Sequence, residues 1–180
     1  MQGAPGGRAE AEAVGLDVAA APGFEAKLCD PRELARRIGT IARPLVFTNG
    51  VFDLLHRGHV TYLARAREQG AALLVALNSD ASARRLGKPG ERPLNALADR
   101  AAVIAALESV SVVTWFDEDT PETLIGSCKP EILVKGGDWP LERIVGAPGV
   151  LARGGKVLSI AFEHERSTTA LLERIRRAPG

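Results

Sequence analysis

The residues best suited to chemistry lie in one string, Thr48-Asn49-Gly50-Val51-Phe52-Asp53-Leu54-Leu55-His56-Arg57-Gly58-His59. It follows a short apolar run and opens a helical stretch. His56 and His59 stand at i,i+3 spacing, so they share one face of that helix's first turn. Gly58 between them lets a ligand approach the backbone closely. A helix N-terminus adds unsatisfied N–H groups and the positive end of the dipole, which together favour an anion. Two imidazoles there can donate hydrogen bonds to phosphate oxygens and take up developing negative charge. Two other readings stand beside this one: a pair of surface histidines, or two metal ligands. Metal pairs on helices favour i,i+4 and need a third ligand; the only other histidine is His164. Other phosphate and nucleophile signatures are missing: no GxxxxGK[ST] loop, no GxGxxG after the first strand, no GxSxG elbow.

The elements that must position this string read as strands alternating with helices. Asp30-Pro31-Arg32-Glu33 is a helix start, with Asp at the N-cap and Pro at the first helical position. Leu34, Ile38 and Ile41 follow on one face. Strands are predicted at 45–48, 72–77, 110–116, 132–134 and 156–162, as short apolar runs suited to a buried parallel sheet. Helices are predicted at 58–69, from an Asn95 cap to about 108, from a Thr120 cap to before Pro130, and at 168–177. Short helical turns are expected over 141–151, and a polar Gly/Pro loop follows Asn78-Ser79-Asp80. The result is an α/β fold: a Rossmann-like, doubly wound, five-stranded parallel sheet with helices on both faces. Ligands in such sheets sit at the carboxyl ends of the strands. Thr48-Asn49-Gly50, Asn78-Ser79-Asp80 and Lys135-Gly136-Gly137-Asp138 are the polar signals at those ends.

Composition bounds what the site serves. The 180 residues argue for one domain with a tail. Fourteen of the first 23 residues are Ala, Gly or Pro, so 1–23 is expected to be a disordered tail and 24–180 the domain. Hydrophobic residues at 46% and charged residues at 25% are globular values. A net charge of +1 and 4% aromatics argue against a nucleic-acid partner. No apolar run approaches a membrane span, and no secretory signal is seen. Cys29 and Cys128, far apart, read as reduced thiols in a cytoplasmic protein.

The HxGH element after a first strand resembles the nucleotidyltransferase superfamily, and TNGVFDLLHRGHVTYL resembles its cytidylyltransferase-like branch. ALNSDASARRLGKPGERPLNALADR, FDEDTPETLI, LVKGGDW and the STT run resemble the heptose 1-phosphate adenylyltransferase family, from about 31 to 176. That resemblance implies transfer of AMP from ATP to a sugar 1-phosphate, giving ADP-heptose and pyrophosphate for lipopolysaccharide inner-core synthesis. It implies catalytic roles for His56, His59 and Lys88. Asn49, Gly50, Val51, Phe52, Gly58, Asp138, Ser167, Thr168 and Thr169 are the implied nucleotide-binding positions. Arg92, Arg100 and Arg166 are candidates for substrate phosphate, and Trp139 stands beside the nucleotide or sugar or packs in the core. For Arg100, ion pairing at the core edge is an equal alternative. Mg²⁺ is expected mainly on the ATP phosphates, with no metal site of the protein's own. A homodimer or higher homo-oligomer is implied, with no membrane partner. The length leaves no room for the sugar-kinase domain often fused to this one. Glu165-Arg166 departs from the family's pattern, in which a glycine is usual just before the Ser-Thr-Thr run. A cytidylyltransferase for glycerol or another polyol phosphate, and a non-catalytic nucleotide-binding regulator, remain as alternatives.

Overall fold

A computed structural model describes residues 22–87 and 92–163. Five strands form one parallel sheet: β1 (Leu45–Gly50), β2 (Ala72–Asn78), β3 (Val112–Phe116), β4 (Ile132–Gly136) and β5 (Lys156–Ile160). Their order is β3-β2-β1-β4-β5. The chain winds outward from β1 in one direction through β3, then returns to β1's other side with β4. The direction of winding therefore reverses between β1 and β4, where a crevice opens at the carboxyl ends.

Side chains alternate across each strand, so neighbouring residues feed opposite cores. On one face, Phe47, Leu74, Val112 and Leu133 pack with α1 (Leu34–Ile38), α5 (Glu122–Cys128) and α6 (Ala147–Ala152). On the other, Val46, Val75, Val113 and Val134 pack with α2 (Arg57–Arg67) and α4 (Leu97–Ala105). β2 is buried along its whole length, as its unbroken apolar run requires of a strand covered twice. The doubly wound α/β expectation is met. At the sheet's β3 edge, Leu28 bridges Val113 and the Cys29 N–H donates to the Val113 carbonyl, so the edge is covered.

The helix start at Asp30 is as expected: its side chain accepts from the Arg32 N–H, and Pro31 opens the turn. Gly70 lets α2 return to the sheet, because a Cβ there would stand 2.6 Å from the Pro44 carbonyl oxygen. Cys29 and Cys128 are free thiols in one core. Burial pushes the Cys128 thiol up to about 11 and raises Cys29.

Three local expectations need correction. An extra helix, α3 (Asp80–Arg85), follows β2, because the Ser79 hydroxyl accepts from the Ser82 N–H and caps it. Asn95 is not a helix cap; α4 starts after Ala96, and the Asn95 amide reaches Asp53 instead. Thr120 is not a cap either, since α5 starts after Pro121 with no side-chain cap. Most of the expected tail lies outside the described residues; Gly23 opens a 3-10 turn to Lys27. The expected helix at 168–177 also lies outside them.

Candidate functional site

The carboxyl ends of β1, β2, β3 and β4 surround an open cleft of about 640 Å³. Its floor is the turn from β1 into α2. Phe52 takes a left-handed conformation (φ 48°), which folds its ring back over Gly50. A Cβ on Gly50 would lie 2.9 Å from that ring, so a side chain there would have to displace it. His56 is extended and forms the N-cap of α2, and its carbonyl accepts from the His59 N–H at 2.9 Å. The two imidazoles then stack, with centroids 3.9 Å apart and planes 20° from parallel. Phe52 meets His59 edge-on at 5.3 Å, and Phe162 does so at 6.1 Å. Both rings face the cleft at a helix N-terminus of eleven residues, where phosphate oxygens are favoured.

One turn further along α2, Tyr62 fixes the helix to the sheet. Its hydroxyl shares a 2.5 Å hydrogen bond with Thr48 and donates to the Val134 carbonyl at 3.4 Å. Burial raises its ionisation far above the ordinary phenol range, so it stays neutral. Gly136 sits against the Tyr62 and Phe162 rings. Beside it the Lys135 ammonium donates to Asn49 Oδ1 at 3.3 Å, joining the ends of β4 and β1 across the reversal. The loop beyond is tied down: the Trp139 indole N–H donates to the Gly136 carbonyl at 3.1 Å, and the Trp139 backbone N–H to Ser159 Oγ at 3.0 Å. Trp139 is half exposed on the cleft wall.

Of the residues expected at the site, Asn49, Gly50, Val51, Phe52, His56, His59 and Arg92 line the cleft together. Gly58 is buried within the first turn of α2, and Asp138 is exposed; neither is on the cleft wall. Lys88, Arg166, Ser167, Thr168 and Thr169 lie outside the described residues.

Arg100 requires correction. Its side chain is wholly buried, and four of its five N–H donors are spent on the protein. It gives hydrogen bonds to the Asn95, Val51 and Asn78 carbonyls at 3.0, 2.7 and 2.9 Å and to Asp80 at 2.7 Å. It therefore clamps the segments that form the cleft, which was the ion-pairing alternative, and is not presented to phosphate. Asp53, Tyr62 and Phe162 also shape the cleft and were not singled out from the sequence, and Lys135, named there only as a polar signal at a strand end, lines it too. For Lys135 a signal existed: a cation at a β-strand's carboxyl end, in the LVKGGDW string.

Comparison with known proteins gives a consistent picture. A family model described as cytidylyltransferase-like matches residues 47–171. The chain is 53% identical to a D-beta-D-heptose 1-phosphate adenylyltransferase of Bordetella bronchiseptica, over 86% of this chain and 96% of that one. It is 52% identical to the bifunctional protein HldE of Azotobacter vinelandii, over 75% of this chain but 28% of that longer protein. Among solved structures, a lipopolysaccharide core biosynthesis protein of Thermoplasma volcanium aligns with a TM-score of 0.55 and 27% identity. That alignment covers 68% of this chain and 98% of the other. A pantoate-beta-alanine ligase of Francisella tularensis, 12% identical, aligns with a TM-score of 0.53 over 79% and 68% of the two chains and shares the fold.

Proposed function

The chain belongs to the cytidylyltransferase-like family, and from that premise we propose that it is an adenylyltransferase making ADP-heptose from ATP and D-glycero-β-D-manno-heptose 1-phosphate. The observation that carries the chemistry is the stacked His56–His59 pair at the start of α2, facing the cleft that Arg92 also lines. The relative named as a heptose 1-phosphate adenylyltransferase, matched over nearly its whole length, supports the substrate.

In this reaction a phosphate oxygen of the sugar 1-phosphate attacks the α-phosphorus of ATP. The bond from that phosphorus to the bridging oxygen breaks, and pyrophosphate leaves with the electron pair. The nucleophile is already an anion, so no general base and no covalent intermediate on the protein are needed. The barrier lies in assembling several negative charges in line, which is a task of positioning and charge stabilisation. His56 and His59 donate to the oxygens of the α-phosphate and of the leaving pyrophosphate as charge develops. Arg92 holds a phosphoryl group at the cleft wall. Lys88, Arg166 and the hydroxyls of Ser167, Thr168 and Thr169 are assigned to the same phosphates. Asn49, Gly50, Val51 and Phe52 line the nucleotide.

Mg²⁺ fits this reading as an ion carried by the triphosphate. The carboxylates on the cleft wall are already engaged, Asp53 by Leu94, Asn95 and Arg92 and Asp119 by Arg85. The ion needs few protein ligands and supplies neutralisation of phosphate charge. Among the described residues, no helix is long and apolar enough to cross a membrane. The reading places the enzyme in the cytoplasm with its nucleotide, as a homodimer or higher homo-oligomer, feeding lipopolysaccharide inner-core synthesis.

Pyrophosphate release measured with ATP or CTP, against a small panel of sugar and polyol phosphates, tests the assignment. Release with ATP and heptose 1-phosphate is the expected result. Release only with CTP and a polyol phosphate, or with no pair at all, contradicts it.

A further inference from the structure

Asp53 is a carboxylate on the wall of a cleft whose other features favour anions. Its surroundings explain its presence. Oδ1 accepts from the Leu94 N–H at 2.8 Å and the Asn95 N–H at 3.0 Å. Oδ2 faces the Arg92 guanidinium at 3.5 Å. The Asp53 carbonyl accepts from the Asn95 side-chain amide at 2.8 Å, and the Asn95 carbonyl accepts from Arg100. Asn95 is thus fastened on one side to the turn before α2 and on the other to the buried Arg100 clamp. The Asp53 charge, 7% exposed, is met by three donors, so it adds little repulsion toward a polyanion.

Arg92 contrasts with Arg100. Its side chain is 11% exposed and lines the cleft, but it makes one long contact, to Asp53. A guanidinium carries five N–H donors. Among the described residues, most of those of Arg92 are left for another acceptor. The residues beside it, Leu94 and Asn95, are held by the same carboxylate, so Asp53 sets both the backbone from which Arg92 projects and one side of its guanidinium.

We propose that Asp53 is a positioning residue for the transfer reaction: it holds Arg92 at the cleft wall, facing a substrate phosphoryl group, and touches no substrate itself. This rests on the adenylyltransferase reading above. A general-base role for Asp53 is unnecessary because the sugar phosphate enters ionised.

A double-mutant cycle of Asp53→Ala and Arg92→Ala tests the proposal, with Asp53→Asn as the conservative variant. It is read by kcat and KM for pyrophosphate release, and by calorimetric affinity for ATP and for inorganic pyrophosphate. Each single alanine variant is expected to raise the KM of the substrate whose phosphate Arg92 holds by ~10-fold or more, with a smaller change in kcat. The double variant is expected to be no worse than Arg92→Ala alone, and Asp53→Asn to recover part of the loss by keeping an acceptor for the backbone N–H groups. The ATP and sugar-phosphate arms tell which phosphate is held. Additive losses, or a fall in kcat at unchanged KM and unchanged affinities in Asp53→Ala, would overturn the proposal. If Asp53→Ala does not fold, Asp53→Asn takes its place in the cycle, and additive losses overturn the proposal there too. If the wild type binds ATP but releases no pyrophosphate, the reaction assigned above falls, and the affinity cycle alone decides the role of Asp53.

Discussion

The imidazoles of His56 and His59 lie face to face with centroids 3.9 Å apart, and Phe52 and Phe162 both meet His59 edge-on. This is the arrangement of a single binding surface, not of two independent side chains. Two imidazoles facing one cleft can donate N–H hydrogen bonds to oxygens of the same phosphate chain. The pair is therefore suited to meeting negative charge that grows during the reaction.

Removal of either ring should cost turnover more than fold. His59→Ala and His56→Ala are each expected to lower kcat by roughly 10²- to 10³-fold, as loss of one oxyanion donor does. Thermal unfolding should stay cooperative in both. Because the rings share one surface, the double variant should lose much less than the product of the single losses. Steady-state pyrophosphate release gives the test, and near-normal turnover in His59→Ala would remove the pair from the mechanism.

Arg100 and Arg92 should separate cleanly. Arg100→Met leaves three carbonyls and Asp80 without their buried donor. A loss of about 3 kcal/mol of stability is expected, because breaking a buried charged network strands its partners. Arg92→Ala should change the unfolding midpoint little. An Arg100→Met protein with wild-type stability and a raised KM for one phosphate substrate would restore Arg100 as a phosphate ligand.

That contrast shows where sequence reading reaches and where it stops. The parallel sheet was legible because a strand buried on both faces reads as an unbroken apolar run, as Ala72 to Leu77 do in β2. The helix expected at 58–69 and found at 57–67, with its histidines, was legible because i,i+3 spacing is a local rule. The roles of Asn95 and Arg100 were not, since both are decided by residues far away in sequence, Asp53 for one and Val51 and Asn78 for the other. An arginine in the first turn of a helix has the same local signature whether its guanidinium meets a phosphate or a ring of carbonyls. The helix at 80–85 was missed because six residues give too short a period to recognise, although Ser79 was available as its cap.

Gly136 offers a test of how the aromatic wall supports the histidines. A Cβ there would stand 2.8 Å from Phe162 and 3.2 Å from Tyr62. Tyr62 is buried and hydrogen-bonded, whereas Phe162 is 41% exposed, so Phe162 is the ring that must give way. Gly136→Ala should therefore push Phe162 off His59 and lower kcat, with a modest loss of stability. Phe162→Ala in the same protein removes the clash, so the double variant should be at least as stable as Gly136→Ala. A double variant less stable than Gly136→Ala would place the strain elsewhere.

Glu131 gives a pH dependence at the opposite end of the sheet. Its carboxylate accepts from the Leu45 N–H at 2.7 Å and from Arg43 at 2.7 Å, tying the start of β1 to the start of β4. Burial by itself would raise its pKa, but those donors outweigh burial and hold it below the ordinary 4.5. A carboxyl depressed on folding stabilises the protein above its unfolded pKa, and that contribution is lost as pH falls through the folded value. Glu131→Gln keeps an acceptor for Leu45 and removes the charge. The wild type should unfold at a higher temperature than Glu131→Gln, by an amount that is constant from neutral pH down to somewhat above 4.5. Below that the gap should close as Glu131 takes up its proton. Unfolding midpoints followed by circular dichroism across this range decide the matter. A gap that persists unchanged into strong acid would mean that the charge of Glu131 does not stabilise the sheet.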